Sequence, residues 1–285
     1  MSKKQVYFLV TVDGDLRVGD AAQQRAGVMA MRSIHADLGI IGRTTWFVNE
    51  LDFKWTEIHG DVLLDLASTG ETLGLHDHLD THYAERYEDI LPLVTRSRQS
   101  VAGFLANAGI SIPLLAHRNG CFQQCEAAYR AAQELGYRYC SDVWPQTALH
   151  ARMVQDGEMP NPWRRLDEDE GGILTDHSMI PLNGTPWRHD AHNWLDYTST
   201  QGWFLQVPVT CAPFIELARV QAAVDNSGEK AFVVLDTHPY DIQDLETGEV
   251  DPGKVADFAA DLRRVRDEFR VEFIRLDQVG ALWPV

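Results

Sequence analysis

A barrel of parallel β-strands ringed by α-helices is the fold this sequence predicts. Three observations predict it. Short apolar runs alternate with segments of helical spacing from the start of the chain, the signature of repeated βα units. Six or more such runs in 285 residues suit a barrel better than an open sheet. No glycine-rich phosphate fingerprint follows the first run, which argues against a dinucleotide-binding sheet.

The elements follow in order. Val6 to Val10 is continuously apolar, as a strand covered on both faces must be. Ala21 to Leu38 has helical spacing at Val28, Met31, Ile34 and Leu38, and Gly39 marks its stop. Thr44 to Val48 reads as a second strand and Trp55 to Ala67 as a helix. Thr72 to Leu75 is a third strand that runs into a histidine cluster. Glu88 to Ala108 is a long helix, and Leu114 to His117 a fourth strand. Cys125 to Leu135 is a helix ended by Gly136, and Tyr137 to Cys140 a fifth strand. Trp203 to Val209 and Phe232 to Leu235 are further strands. Val255 to Phe269 is the last long helix, and Val271 to Leu276 closes the series. We expect one catalytic domain over 1–285, with an irregular substrate-covering segment at about 145–202 that carries a strand near Gly172 to Leu182.

Composition narrows the function. There are 42 acidic and 25 basic residues, a formal charge of −17, which repels nucleic acid and anionic lipid. At 45% hydrophobic and 24% charged the chain is globular rather than disordered. No apolar run nears the roughly 20 residues of a membrane span. The short run before Asp13 reads as a core strand, not a signal peptide. Cys121, Cys125, Cys140 and Cys211 form neither a disulfide framework nor a zinc ribbon. A cytoplasmic enzyme with reduced thiols is the expectation. The sequence leaves the oligomeric state open.

In parallel barrels chemistry sits where strands end, and polar clusters fall at five strand ends here. The first strand ends in Asp13-Gly14-Asp15, two carboxylates on one face of an extended backbone. Asp-Gly alone would read as a turn. The third ends in His76-Asp77-His78-Leu79-Asp80-Thr81-His82. His76 and His78 would share a strand face, whereas His78 and His82 would share a helical one, and either pair suits a divalent transition metal. The fourth ends in His117-Arg118-Asn119-Gly120-Cys121, where Arg118 could clamp a carboxylate with its planar fork. The fifth ends in Ser141-Asp142-Val143-Trp144, and a late strand ends in Asp236-Thr237-His238. His238 is a natural proton donor because imidazole titrates near neutrality.

That order of clusters resembles the polysaccharide deacetylases, the NodB-homology family of carbohydrate esterases. Thr11-Val12-Asp13-Gly14-Asp15 stands where the family has a TFDDG-like motif, with one more residue between the acids. Gly70 to His76 resembles its GHEIG-like strand, and Arg118 to Cys121 its R-x-P-Y-G turn. Trp144 matches the fourth motif, and Leu235 to His238 the fifth. The resemblance implies a distorted (β/α) barrel of the NodB type and metal-dependent removal of an acyl group, most simply N-acetyl, from an amino sugar or saccharide precursor.

It also implies roles. Asp13 would be the base, held by Arg118. Asp15 and two of His76, His78 and His82 would hold Zn²⁺ or a similar divalent ion. The Cys121 N–H would help bind the oxyanion, Trp144 would wall the site, and His238 would be the acid. The ungapped register puts Asp80 on the second metal position, and a shifted loop uses His78 and His82. Asp236 departs from the family, which has an apolar residue there, and could raise the pKa of His238. Two other functions fit the same fold: hydrolysis of a cyclic amide or ureide with altered or no metal, and sugar binding without turnover.

Overall fold

The computed structural model describes residues 4–79, 82, 86–122, 125–146, 177, 178, 180–189 and 196–283. Ten strands form one curled sheet: β1 (Gln5–Asp13), β2 (Thr45–Val48), β3 (Thr72–Asp77), β4 (Ala116–Asn119), β5 (Tyr139–Cys140), β6 (Trp187–His189), β7 (Phe204–Gln206), β8 (Val209–Cys211), β9 (Lys230–Thr237) and β10 (Arg270–Phe273). Their spatial order is β6-β7-β5-β4-β3-β2-β1-β9-β8, with β10 beside the first half of β1. Every pairing is parallel except β6 with β7. Among the described residues no ladder joins β8 to the β6 end, so the barrel is a half-barrel. The split falls at Pro208, which cannot donate to a ladder. The predicted strand Trp203 to Val209 is therefore two, with β7 joining β5 and β8 joining β9.

The helices are α1 (Ala21–Asp37), α2 (Glu50–Phe53), α3 (Trp55–Ile58), α4 (Gly60–Ser68), α5 (Tyr87–Asn107), α6 (Glu126–Glu134), α7 (Leu217–Asn226), α8 (Pro252–Glu268) and α9 (Val279–Leu282). Asp20 caps α1 through a capping box with Gln23. The single helix expected over Trp55 to Ala67 breaks at His59, whose ring packs edge-on to Trp55 at 5.6 Å. Four elements escaped the sequence reading: the four-residue helices α2 and α9, β6 and α7. β6 is three residues long, and the apolar face of α7 is only Val220, Ala223 and Val224. Ile180 to Leu182, the described end of the strand expected near Gly172, is not strand, and the rest lies outside the described residues, as do Trp163 and Trp194.

Strand alternation builds two cores. Val6, Phe8, Val10 and Val12 of β1 face outward with Ala231, Val233 and Leu235 of β9, in one cluster with side chains of α1, α5 and α8. Tyr7, Leu9, Phe47, Ala116, Phe232 and Val234 face inward and fill the barrel. Continued by two residues, the inward rows become Thr11 and Asp13, Arg118, and Asp236. The site is thus the polar end of the barrel's own core. Parallel pairing brings those ends to one rim.

Candidate active site

Gly14 lets β1 present two carboxylates. Its N–H donates to the Phe47 carbonyl at 2.7 Å, and the Trp55 indole donates to its own carbonyl at 2.8 Å. A Cβ there would lie 2.9 Å from the Phe47 oxygen, so a larger residue would push the strand end away. Asp13 and Asp15 emerge buried on either side.

Arg118 is fully buried and spends its fork on four acceptors. Nε donates to the Ser141 carbonyl at 2.6 Å, and Nη2 to Thr11 Oγ1 at 2.9 Å. Nη1 donates to Asp13 Oδ1 at 2.8 Å and also to Asp236 Oδ1. The guanidinium lies 4.4 Å over the Phe47 ring. Burial drives Asp236 up to about 7 against the pull of Arg118, and the charge of Asp13 adds to the rise.

On the other side of Asp13, His238 Nε2 is 4.0 Å from Asp13 Oδ2. Its Nδ1 faces Asp241 Oδ2 at 3.2 Å, and its ring stacks on Tyr240 at 4.5 Å. Burial alone disfavours the charged ring. The bond to Asp241, together with the charges of Asp241, Asp236 and Asp13, outweighs it and raises His238 to about 9. The imidazole therefore carries its proton at neutral pH.

Asp15, His76 and His78 form a second group whose ligand atoms all lie within 4.8 Å of one another. His78 Nε2 is 2.9 Å from Asp15 Oδ2, and the two Nε2 atoms of His76 and His78 face each other at 3.1 Å. Asn49 orients Asp15 by donating to Oδ1 at 2.8 Å. Burial would raise the Asp15 carboxyl, yet the two imidazoles hold it well below the usual carboxylate range. Two imidazole nitrogens and one carboxylate oxygen this close together are a fitting donor set for a divalent ion. Asp13, Asp236 and His238 also cluster, but Arg118 already supplies their cation. Gly120 leaves room for His78: a Cβ there would meet the ring at 2.4 Å.

Of the three candidate histidines, the structure brings His76 and His78 to Asp15. His82 lies instead 3.2 Å from Asp52 Oδ1 and is not in the donor group. The i, i+4 pairing of His78 with His82 required a helical turn, whereas β3 runs extended to Asp77, so the i, i+2 pair shares the face. Asp80 lies outside the described residues. Cys121 and Trp144 both line the cleft. Cys121 has φ 52° and places Sγ 3.9 Å from His78 Nδ1. Trp144 packs on Phe122 at 5.5 Å.

Asp13, Asp15, His76, His78, Asp236 and His238 open onto one cleft of about 630 Å³. Four of its polar residues were given no role by the sequence reading: Arg17, Asn119, Tyr240 and Asp241. Asn119 donates to Asp142 at 3.0 Å, and burial pushes Asp142 up to about 6. The signal for Arg17 was its place two residues beyond Asp15. Asp241 gave none, because its role depends on the turn after β9.

Over 99% of this chain and 91% of the other, the structure matches one from Mycobacterium smegmatis provisionally described as a polysaccharide deacetylase, with a TM-score of 0.62 and 14% identity. This chain has the polysaccharide deacetylase fold. A 4-alpha-glucanotransferase from Thermococcus litoralis matches all of this chain with 41% of its own, at a TM-score of 0.56 and 10% identity. A family 4 carbohydrate esterase from Streptomyces lividans in complex with acetate matches 93% of this chain and 90% of its own, at a TM-score of 0.43 and 11% identity. No family model and no curated protein matches the sequence. The deacetylase fold is thus seen in the architecture alone. No helix among the described residues is long and apolar enough to cross a membrane.

Proposed function

We propose that this protein is a metal-dependent hydrolase that removes an acyl group, N-acetyl in the simplest case, from an amino sugar. One observation carries the reading. A carboxylate anchored by a buried arginine, a protonated imidazole and an Asp-His-His donor set converge on one cleft from strands far apart in sequence. A structural turn or a packing cluster needs no such convergence.

Asp15, His76 and His78 would hold the ion. When bound, a Zn²⁺-like ion polarises the acyl carbonyl and acidifies water. The protein's own groups handle the protons. Asp13 accepts the proton of the attacking water. Arg118 fixes its Oδ1, which leaves Oδ2, the oxygen 4.0 Å from His238, toward the cleft. Water oxygen bonds to the acyl carbon, the carbon–nitrogen bond breaks, and His238 gives its proton to the departing nitrogen. The products are a free carboxylate and an amine. Trp144 and Phe122 shield one wall and limit water. The Cys121 backbone N–H is assigned to the developing oxyanion.

The test measures bound metal by mass spectrometry and acetate release from N-acetylated sugars. We expect one tightly bound ion in wild type, lost in His76→Ala and His78→Ala and kept in His82→Ala. Asp13→Asn should lower turnover roughly 100-fold or more with folding intact. Activity that survives chelation, with no bound ion, would move the reading to metal-free hydrolysis of a cyclic amide or ureide.

A further inference from the structure

Arg17 has no part in that chemistry, yet it stands in the cleft. It follows Asp15 by two residues, and its Nη2 is 3.0 Å from Asp15 Oδ2 and 3.4 Å from His78 Nε2. The side chain is 48% exposed. Arg118 differs in kind: it is sealed beneath Asp13 with its fork spent on four protein acceptors. Among the described residues, Arg17 is the one arginine or lysine that lines the cleft. Its Nε and Nη1 groups have no protein partner among the described residues.

An exposed arginine is ordinarily a solvated surface charge that sweeps many rotamers. Arg17 is tethered at one nitrogen by a buried carboxylate, so its remaining donors are presented in a fixed direction. Such preorganisation lowers the entropic cost of binding. Guanidinium N–H groups match the oxygens of carboxylate and phosphate. Tyr240 and Leu245 line the same cleft. The whole chain carries −17, so its long-range field opposes anions. An anionic ligand would therefore need a local cation.

We propose that Arg17 recognises an oxyanion, a carboxylate or a phosphate, carried by the substrate beside its acyl group, and so selects anionic amino sugars over neutral ones. The inference rests on the hydrolase reading above and names the substrate class of that site. Asp15 Oδ2 is shared, 2.9 Å from His78 Nε2 and 3.0 Å from Arg17 Nη2.

The experiment is calorimetric titration of the zinc-loaded protein with N-acetylglucosamine, N-acetylglucosamine 1-phosphate and N-acetylmuramic acid. Wild type, Arg17→Gln and Arg17→Lys are compared, and melting curves check their folding. Wild type should bind one of the anionic sugars at least roughly tenfold tighter than the neutral one. The anion preferred tells phosphate from carboxylate. In Arg17→Gln the ratio of anionic to neutral affinity should fall close to one, and Arg17→Lys should restore part of it. Equal affinities in wild type, a preference that survives Arg17→Gln, or no binding of any of the three overturns the proposal. Binding is read without turnover. Failure to hydrolyse any sugar would strike the hydrolase reading alone, and the affinity ratio would still decide Arg17.

Discussion

Replacing Arg118 by Met keeps length and apolar character and removes the charge that Asp13 and Asp236 share. Both carboxylates are buried, at 2% and 1% exposure, so water cannot take over from the guanidinium. Removing one partner of a buried ion pair costs about 3–5 kcal/mol. Unfolding entropy of roughly 2.1 cal/mol/K per residue gives about 0.6 kcal/mol/K for a chain of this length, so the melting temperature should fall by about 5–8 °C. The loss should also depend on pH. The folded-state pKa of Asp236, about 7, lies above its unfolded value. Its contribution is therefore fully present below the unfolded pKa and is lost as pH rises through about 7. Arg118 pulls the Asp236 carboxyl down, so without it that carboxyl rises further, and the loss should be greater at pH 8 than at pH 5. Denaturant titrations at both pH values measure the difference, and Asp236→Asn in the same background should recover at least about 1 kcal/mol at pH 8. A loss under about 1 kcal/mol, or one that is the same at both pH values, would refute the claim that Arg118 is the buried counter-ion of these acids.

Three further outcomes follow from the same geometry. With the His238 proton held to about 9, the pH–rate profile should fall on its alkaline side near that value, and Asp241→Asn should draw this limb down toward the unperturbed imidazole value of about 6.5. The same raised pKa means that the stability His238 contributes is whole below about 6.5 and lost as pH passes about 9. Gly120→Ala should displace the His78 ring and weaken zinc binding by roughly tenfold or more in a chelator competition, on the scale of losing an orienting contact around a metal; unchanged affinity would show that the ring sits elsewhere. His35 is buried with neither ring nitrogen bonded among the described residues, and burial drives its pKa down to about 3. His35→Leu should therefore stabilise the fold by about 1 kcal/mol at pH 7, and by more at pH 5, since the wild-type contribution is present above about 6.5 and lost as pH falls toward 3.

The fold was legible where apolar runs were long. β1 and β9 are buried on both faces and read as unbroken hydrophobic strings, so their polar ends at Asp13 and His238 stood out. Short elements were illegible: β6 and β7 have three residues each, too few for a period to show, and Pro208 hid a strand break inside one apolar run. The pairing partners of Arg118 were legible only in kind. That it would meet a carboxylate followed from its chemistry. That it would meet two, from β1 and β9, depended on the register that sets Thr11 beside Asp236.

The histidine trio shows why spacing alone could not choose the donors. His76 and His78 suit a strand, and His78 and His82 suit a helix, so the choice waits on where β3 ends. Pairing decides it: His76 lies opposite Arg118 and Asp77 opposite Asn119, which keeps β3 extended through Asp77. An extended backbone then carries His78 to the face of His76, toward Asp15. The ladder that positions Arg118 beside Asp13 is thus the same one that brings His76 to Asp15. A substitution that slips β3 by one residue would turn its own inward row to the helix side, taking His76 away from Asp15 while Arg118, on β4, kept its hold on Asp13.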